Sequence, residues 1–268
     1  MEHGRERGSL EHQVFQGRAL SIYTPPSYGL TKHRYPVMYV NDPSDYMDTA
    51  SNEAVTRMEE LFREKKLPEM ILVGLEPHER LDEYTPWPAK ALVETVPDFG
   101  GFGKKYLDLV VHELKPYIDA RYETRTGPFD TGMIGASLGG LISMFAAYEH
   151  PGVFGKIGCI SGSFWYEGFT EYMAERKLAD KGQRFYMYVG DQEGVGKKTI
   201  QSAMMARTRQ AYTQLADSGF GGARLRLVIG EGGHHQVPVF VEQFPEALIW
   251  IFGRDTKTNT IFPDTERG

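Results

Sequence analysis

The chain holds a single cysteine, Cys159, among 268 residues. One cysteine excludes an internal disulfide framework and a cysteine-built zinc site. No apolar run approaches the roughly 18 residues that suggest a membrane span. Met1 to Arg7 carries both signs of charge with no apolar stretch behind it, so it does not read as a secretory signal and the chain is expected to be cytoplasmic. Thirty Lys and Arg against 36 Asp and Glu leave a formal net charge of -6. With no block of like charges, that balance argues against a nucleic-acid partner. Repeats and low-complexity linkers are also missing. What remains is 41% apolar and 25% charged residues, a globular composition.

Apolar runs alternate with segments of helical period along most of the chain. This pattern predicts one α/β domain over residues 1–253 with a mostly parallel sheet, followed by a polar tail at 254–268. The N-terminal part departs from it: Val14-Phe15 and Ala19 to Tyr23 flank Gln16-Gly17-Arg18 as antiparallel strands around a turn. Further strands are expected at Val37–Val40, Met70–Leu75, Thr131–Ala136, Ile157–Ser161, Arg184–Gly190 and Leu225–Ile229. Helices are expected over Thr49–Lys65, Leu107–Ile118, Leu138–Tyr148, Glu167–Ala179 and Ile200–Ser218, with a last one starting near Pro245. Residues 76–103 break the alternation with four prolines and Phe99-Gly100-Gly101-Phe102, and read as a long functional loop near the active site.

Gly135-Ala136-Ser137-Leu138-Gly139 fits G-x-S-x-G. Met133-Ile134 precede it as strand, and Leu138, Leu141, Ile142, Phe145 and Ala146 follow at helical spacing. The chemistry needs a tight strand-to-helix turn that holds a serine hydroxyl exposed, with small residues where the two backbones approach. A hydroxyl becomes nucleophilic when a base takes its proton. Gly232-Gly233-His234-His235, directly after a late strand, supplies candidate imidazoles. An anion must fix the imidazole's tautomer; Asp191 and Glu193, after the strand ending at Gly190, are both candidates. The order Ser, acid, His is that of α/β-hydrolases. For the oxyanion, one donor is expected from the backbone of Leu138. The other is expected after Val40, where Pro43 has no N–H and Ser44 or Asp45 is next.

These segments resemble the esterase D-type branch of the α/β-hydrolases, a branch with siderophore trilactone esterases, feruloyl esterases, S-formylglutathione hydrolases and mycolyltransferases. The resemblance runs from about Ala19 to Gly253. It is carried by Ile22 to Tyr28, Tyr35 to Val40, Gly135 to Gly140, Ser161 to Trp165, Gly190-x-x-Glu193 and Gly232-Gly233-His234. It implies an α/β-hydrolase fold, a mostly parallel sheet with antiparallel N-terminal strands and helices on both faces. It also implies Glu193 as acid and His234 as base beside Ser137. Arg80-Leu81-Asp82-Glu83-Tyr84-Thr85-Pro86-Trp87 is similar to the family's Arg…Tyr-Thr-Pro segment at the active-site mouth. Pro43 departs from the glycine common in relatives.

Arg80 is therefore a candidate contact for an anionic substrate, against a solvated surface charge. Trp165, past a strand's C-terminal end, is a candidate pocket wall or a core residue. Gly190 to Thr199 fails the phosphate-loop spacing, Pro116 breaks H-E-x-x-H after His112-Glu113, and Cys159 reads as core. The expectation is a serine carboxylic-ester hydrolase on a small-molecule ester, with no cofactor, no metal and no membrane or nucleic-acid partner. The resemblance points among esterases to siderophore trilactones. A general short-chain or feruloyl-type carboxylesterase, an acyltransferase and a non-catalytic binding module are the alternatives.

Overall fold

The structure, a computed structural model, describes residues 7–47, 53–176, 178 and 182–253. The expected tail at 254–268 lies outside them, as do 49–52 of the first expected helix and Lys177 and Ala179 of the fourth. In chain order the elements are β1 (Ser9–Phe15), β2 (Arg18–Thr24), β3 (Val37–Val40), α1 (Pro43–Met47), α2 (Glu53–Arg63), β4 (Ile71–Leu75), α3 (Arg80–Glu83), α4 (Gly103–Leu109), α5 (Lys115–Arg121), β5 (Thr131–Ala136), α6 (Leu138–Glu149), β6 (Lys156–Ile160), α7 (Phe169–Glu175), β7 (Arg184–Gly190), α8 (Met204–Asp217), β8 (Leu225–Gly230) and α9 (Val237–Phe252).

The strands form one sheet in the order β1-β2-β4-β3-β5-β6-β7-β8. β1 and β2 pair antiparallel with Phe15 opposite Arg18, and β2 pairs antiparallel with β4. Strands β3 to β8 all run parallel to one another. Parallel strands buried on both faces need apolar residues at every position, which is why Val37-Met38-Tyr39-Val40 is apolar throughout. Its side chains alternate between two cores. Val37 and Tyr39 join the cluster under α6, and Met38 and Val40 the cluster under α2 and α9. This is the α/β-hydrolase fold. No helix among the described residues is long and apolar enough to cross a membrane.

In two helices a proline accounts for the difference from the sequence expectation; in a third, expected over Ile200–Ser218, residues Ile200–Ala203 form a 3-10 turn ahead of α8. The helix expected over Leu107–Ile118 is α4 and α5 joined by a π turn, Val110–Leu114. Pro116 follows directly. It offers no N–H to the carbonyl of His112, and its ring crowds that carbonyl, so the backbone widens there. The last helix starts at Val237 rather than near Pro245. Pro238 occupies the first turn, where a missing N–H costs nothing, and Pro245 sits inside the helix. Pro245 leaves the carbonyl of Val241 without its helical donor. The packing of α9 on α2, β6 and β7, with Phe240, Phe244 and Leu248 buried, outweighs that loss.

Candidate active site

The carboxyl ends of β5, β7 and β8 bring three loops together, as open α/β sheets do at their ligand edge. Ser137 stands between β5 and α6 with φ 57° and ψ -121°. Few non-glycine residues adopt a positive φ, and a β-carbon-bearing residue there is strained. Its N–H donates to the carbonyl of Ile160 at 3.0 Å, and its carbonyl accepts from the N–H of Ser163 at 3.0 Å, so both neighbours hold the turn. A side chain at Gly135 would lie 2.8 Å from the backbone of Gly139. That close approach is the physical need behind the small residues of the motif.

The imidazole at Ser137 belongs to His235, not His234. His235 Nε2 lies 3.0 Å from Ser137 Oγ, and His235 Nδ1 lies 2.8 Å from Glu193 Oε2. The sequence register was one residue short, and the glycines explain why. Gly233 is pressed backbone to backbone on Gly190, where a side chain at Gly190 would meet the Gly233 carbonyl at 2.2 Å. That carbonyl accepts from the N–H of Gln192 at 3.0 Å. The glycine pair thus seats the loop against the end of β7, and one further residue is needed before a ring can reach over to Ser137. His234 is exposed and lines a cavity that His235 and Trp165 also line. The His235 ring packs edge-on against Phe240 at 4.9 Å, which limits its rotation.

Glu193 is buried, and both carboxylate oxygens are used. Oε1 accepts from Ser161 Oγ at 2.5 Å and from the N–H of Gly190 at 2.8 Å, leaving Oε2 for the imidazole. A carboxylate only accepts, so Nδ1 carries the ring proton and Nε2 faces the serine hydroxyl as an acceptor. Asp191 points elsewhere: its Oδ1 accepts from the N–H of Gly232 at 2.9 Å and braces the histidine loop.

Leu138 opens α6, so its N–H belongs to the first turn, whose amides have no acceptor within the helix. Ser44, expected as the second donor, is otherwise engaged: its N–H donates to Glu76 Oε1 at 3.1 Å. The Asp45 N–H closes a turn on the carbonyl of Asp42 at 3.0 Å, and the Asp42 N–H meets the Tyr84 hydroxyl at 3.1 Å. Arg80 is also redirected. Its Nε and Nη2 donate to the two oxygens of Asp42 at 2.7 and 2.8 Å, and its guanidinium lies over the Tyr84 ring. Asp42 has φ 54°, and the bidentate clamp fixes this strained residue beside the elbow. The sequence left Arg80 between a substrate contact and a solvated charge, because nothing in it pairs Arg80 with Asp42.

Trp165 is both things expected of it. It is buried, and it lines a cavity of about 290 Å³ together with Gln192, Val195, Lys197, Met204 and His235. Residues 76–103 do not line this cavity. They are fastened to α6 and α7 instead, with the Trp87 indole donating to the carbonyl of Glu167 at 2.9 Å and packing on Phe145 and Phe169. The pocket wall at 192–201 went unrecognised in the sequence, because a polar loop after a strand carries no signal of concavity.

Comparison with known proteins agrees with this architecture. The chain is 40% identical over 252 residues to the uncharacterized protein YbbA of Bacillus subtilis, which covers 94% of this chain and 99% of that protein. Among solved structures, an IroE-like serine hydrolase from Shewanella oneidensis superposes with a TM-score of 0.75 at 19% identity, over 91% of this chain and 80% of that one. The enterobactin esterase FES from Shigella flexneri superposes with a TM-score of 0.70 at 17% identity, over 91% of this chain and 59% of that one. The Esterase family model ("Putative esterase") matches residues 14–251, and the chain belongs to that family.

Proposed function

We propose that the protein is a serine carboxylic-ester hydrolase that works through an acyl-enzyme on Ser137. The observation that carries this reading is the unbroken contact from Ser137 Oγ through His235 to Glu193. In this mechanism Ser137 Oγ attacks the ester carbonyl while His235 Nε2 takes its proton. Glu193 holds the ring in one tautomer and stabilises its cation. The Leu138 N–H, aided by the positive end of α6, faces the developing oxyanion. His235 then protonates the leaving alkoxide, and a water activated by the same nitrogen clears the acyl group.

The cavity supports a substrate class. At about 290 Å³ it lies at the small end of ligand sites. It suits one aromatic or short acyl arm, with Trp165 as an apolar wall and Lys197 at the rim. A larger ester would present one arm at a time. The fold shared with an enterobactin esterase supports a trilactone siderophore as one such ester. The deciding experiment compares hydrolysis of p-nitrophenyl acetate and butyrate, a feruloyl ester and a ferric catecholate trilactone by the parent and Ser137→Ala. Turnover of any ester that vanishes in a folded Ser137→Ala protein is the expected result. Unchanged turnover in that variant would refute the mechanism. A trilactone hydrolysed no faster than p-nitrophenyl butyrate would remove the siderophore reading and leave the carboxylesterase.

A further inference from the structure

Away from the candidate active site, α4 and the π turn face the end of α6, and three ligating side chains converge there. Asp108 lies in the last turn of α4 and His112 in the π turn, four residues on, so the two share one helix face. His150 caps α6. Their ligand atoms all lie within 4.8 Å of one another. Asp108 Oδ1 is 3.5 Å from His150 Nε2 and 4.0 Å from His112 Nε2. Such distances are too long for hydrogen bonds between these groups. They are close to the separation of two ligands on one tetrahedral cation, about 3.4 Å for bonds of about 2.1 Å.

His150 Nε2 is shut off from solvent with no hydrogen-bond partner. A buried imidazole nitrogen left without a partner is costly, and it points into the same space as Asp108. The neighbouring Lys104 pairs with Glu149. Asp108 and His112 keep 45% and 67% of their side-chain surface exposed, which leaves an entry path and a fourth position for water.

We propose that Asp108, His112 and His150 form a binding site for a divalent transition cation of the zinc type. Two imidazoles and one carboxylate are a donor set for Zn²⁺, Co²⁺ or Ni²⁺ rather than for Mg²⁺ or Ca²⁺. The cation would tie the α4 end of the helical stretch to the C-terminus of α6, the helix whose N-terminus carries Ser137. Its role is to stabilise this packing. The π turn created by Pro116 takes part in the site, since it sets where His112 stands relative to Asp108.

The test is titration of tag-free, chelator-stripped protein with ZnCl₂, followed by calorimetry and by thermal unfolding. Saturable binding of about one equivalent with a rise in Tm is expected. His112→Ala and Asp108→Asn change exposed groups, so both should keep the parent's far-UV circular dichroism. Each should weaken binding by about tenfold or more and abolish the rise in Tm. His235→Ala should leave both intact, which separates this site from the histidine pair at the candidate active site. Lack of saturable binding in the parent would overturn the proposal. So would binding unchanged in His112→Ala or lost in His235→Ala.

Discussion

His235 has a partner on each ring nitrogen, and both contacts lie within hydrogen-bond range. His234 next to it has neither; it is exposed at the wall of the same cavity. Replacing each by alanine therefore separates the two. His235→Ala should lower kcat for p-nitrophenyl butyrate by about four orders of magnitude, and His234→Ala by less than about tenfold. Steady-state kinetics of the two purified variants checks this, and a dead His234 variant beside an active His235 variant would overturn the assignment. The acids divide in the same way. Glu193→Gln keeps the shape but presents an amide to Nδ1, which favours the wrong tautomer. A kcat loss of about two to four orders with little change in KM is expected. Asp191→Asn retains an oxygen for the Gly232 N–H and should cost about tenfold or less. The same assay reads both.

At the scale of elements, the turn after β3 packs several carboxylates around one guanidinium. Arg80 is taken by Asp42, while Asp45 and Glu76 stand close by. Burial pushes the Glu76 carboxyl above its usual range and Asp42 and Asp45 add to the shift, although the hydrogen bonds from Ser44 oppose it. A carboxyl whose folded pKa is raised costs stability where it is ionised, and the cost disappears once pH falls below the unfolded pKa of about 4.3. Glu76→Gln keeps an oxygen for Ser44 and removes the charge. The variant should therefore melt above the parent at pH 7–8, by about 1–2 °C once solvent screening at this half-exposed site is allowed for. The two proteins should converge near pH 4. Thermal melts across that range check the sign, and a Glu76→Gln protein less stable at pH 8 would show that the charge is favourable in place.

How far these elements were legible in sequence depended on whether the controlling contact was local. The β5–Ser137–α6 turn was readable because strand period, small residues and helix period sit side by side. β5 and β7 carry their own apolar code and were read with their true ends. The histidine register was not readable, since it depends on Gly233 meeting Gly190 across the sheet. The Arg80 clamp was not readable for the same reason: its partner Asp42 lies on another loop. Pro245 was overweighted, because the local cost of a proline is visible in sequence while the packing of α9 that offsets it is not.

At the scale of the whole molecule, the sheet separates two cores that hold each other in place, and Cys159 reports on both. It lies in β6, between β5 and β7, with no exposure, and its side chain faces the cluster under α6. Burial drives its thiol pKa up, against a hydrogen bond with the backbone of Met144, so thiolate is scarce in the native state. A reagent can reach the sulfur only if α6 lifts or the central strands part. α6 carries Ser137 at its start and is buried along nearly its whole length, so lifting it would disrupt the core under it. Labelling should then track global unfolding rather than local opening. In native buffer, a disulfide reagent should modify Cys159 about a thousandfold or more slowly than in denaturant. Added urea should raise the labelling rate with a slope matching the equilibrium m-value from circular dichroism. Fast labelling in native buffer, or a slope well below that m-value, would mean that the helix bearing Ser137 opens on its own. The strained turn at Ser137 would then be held by a mobile element rather than by the core.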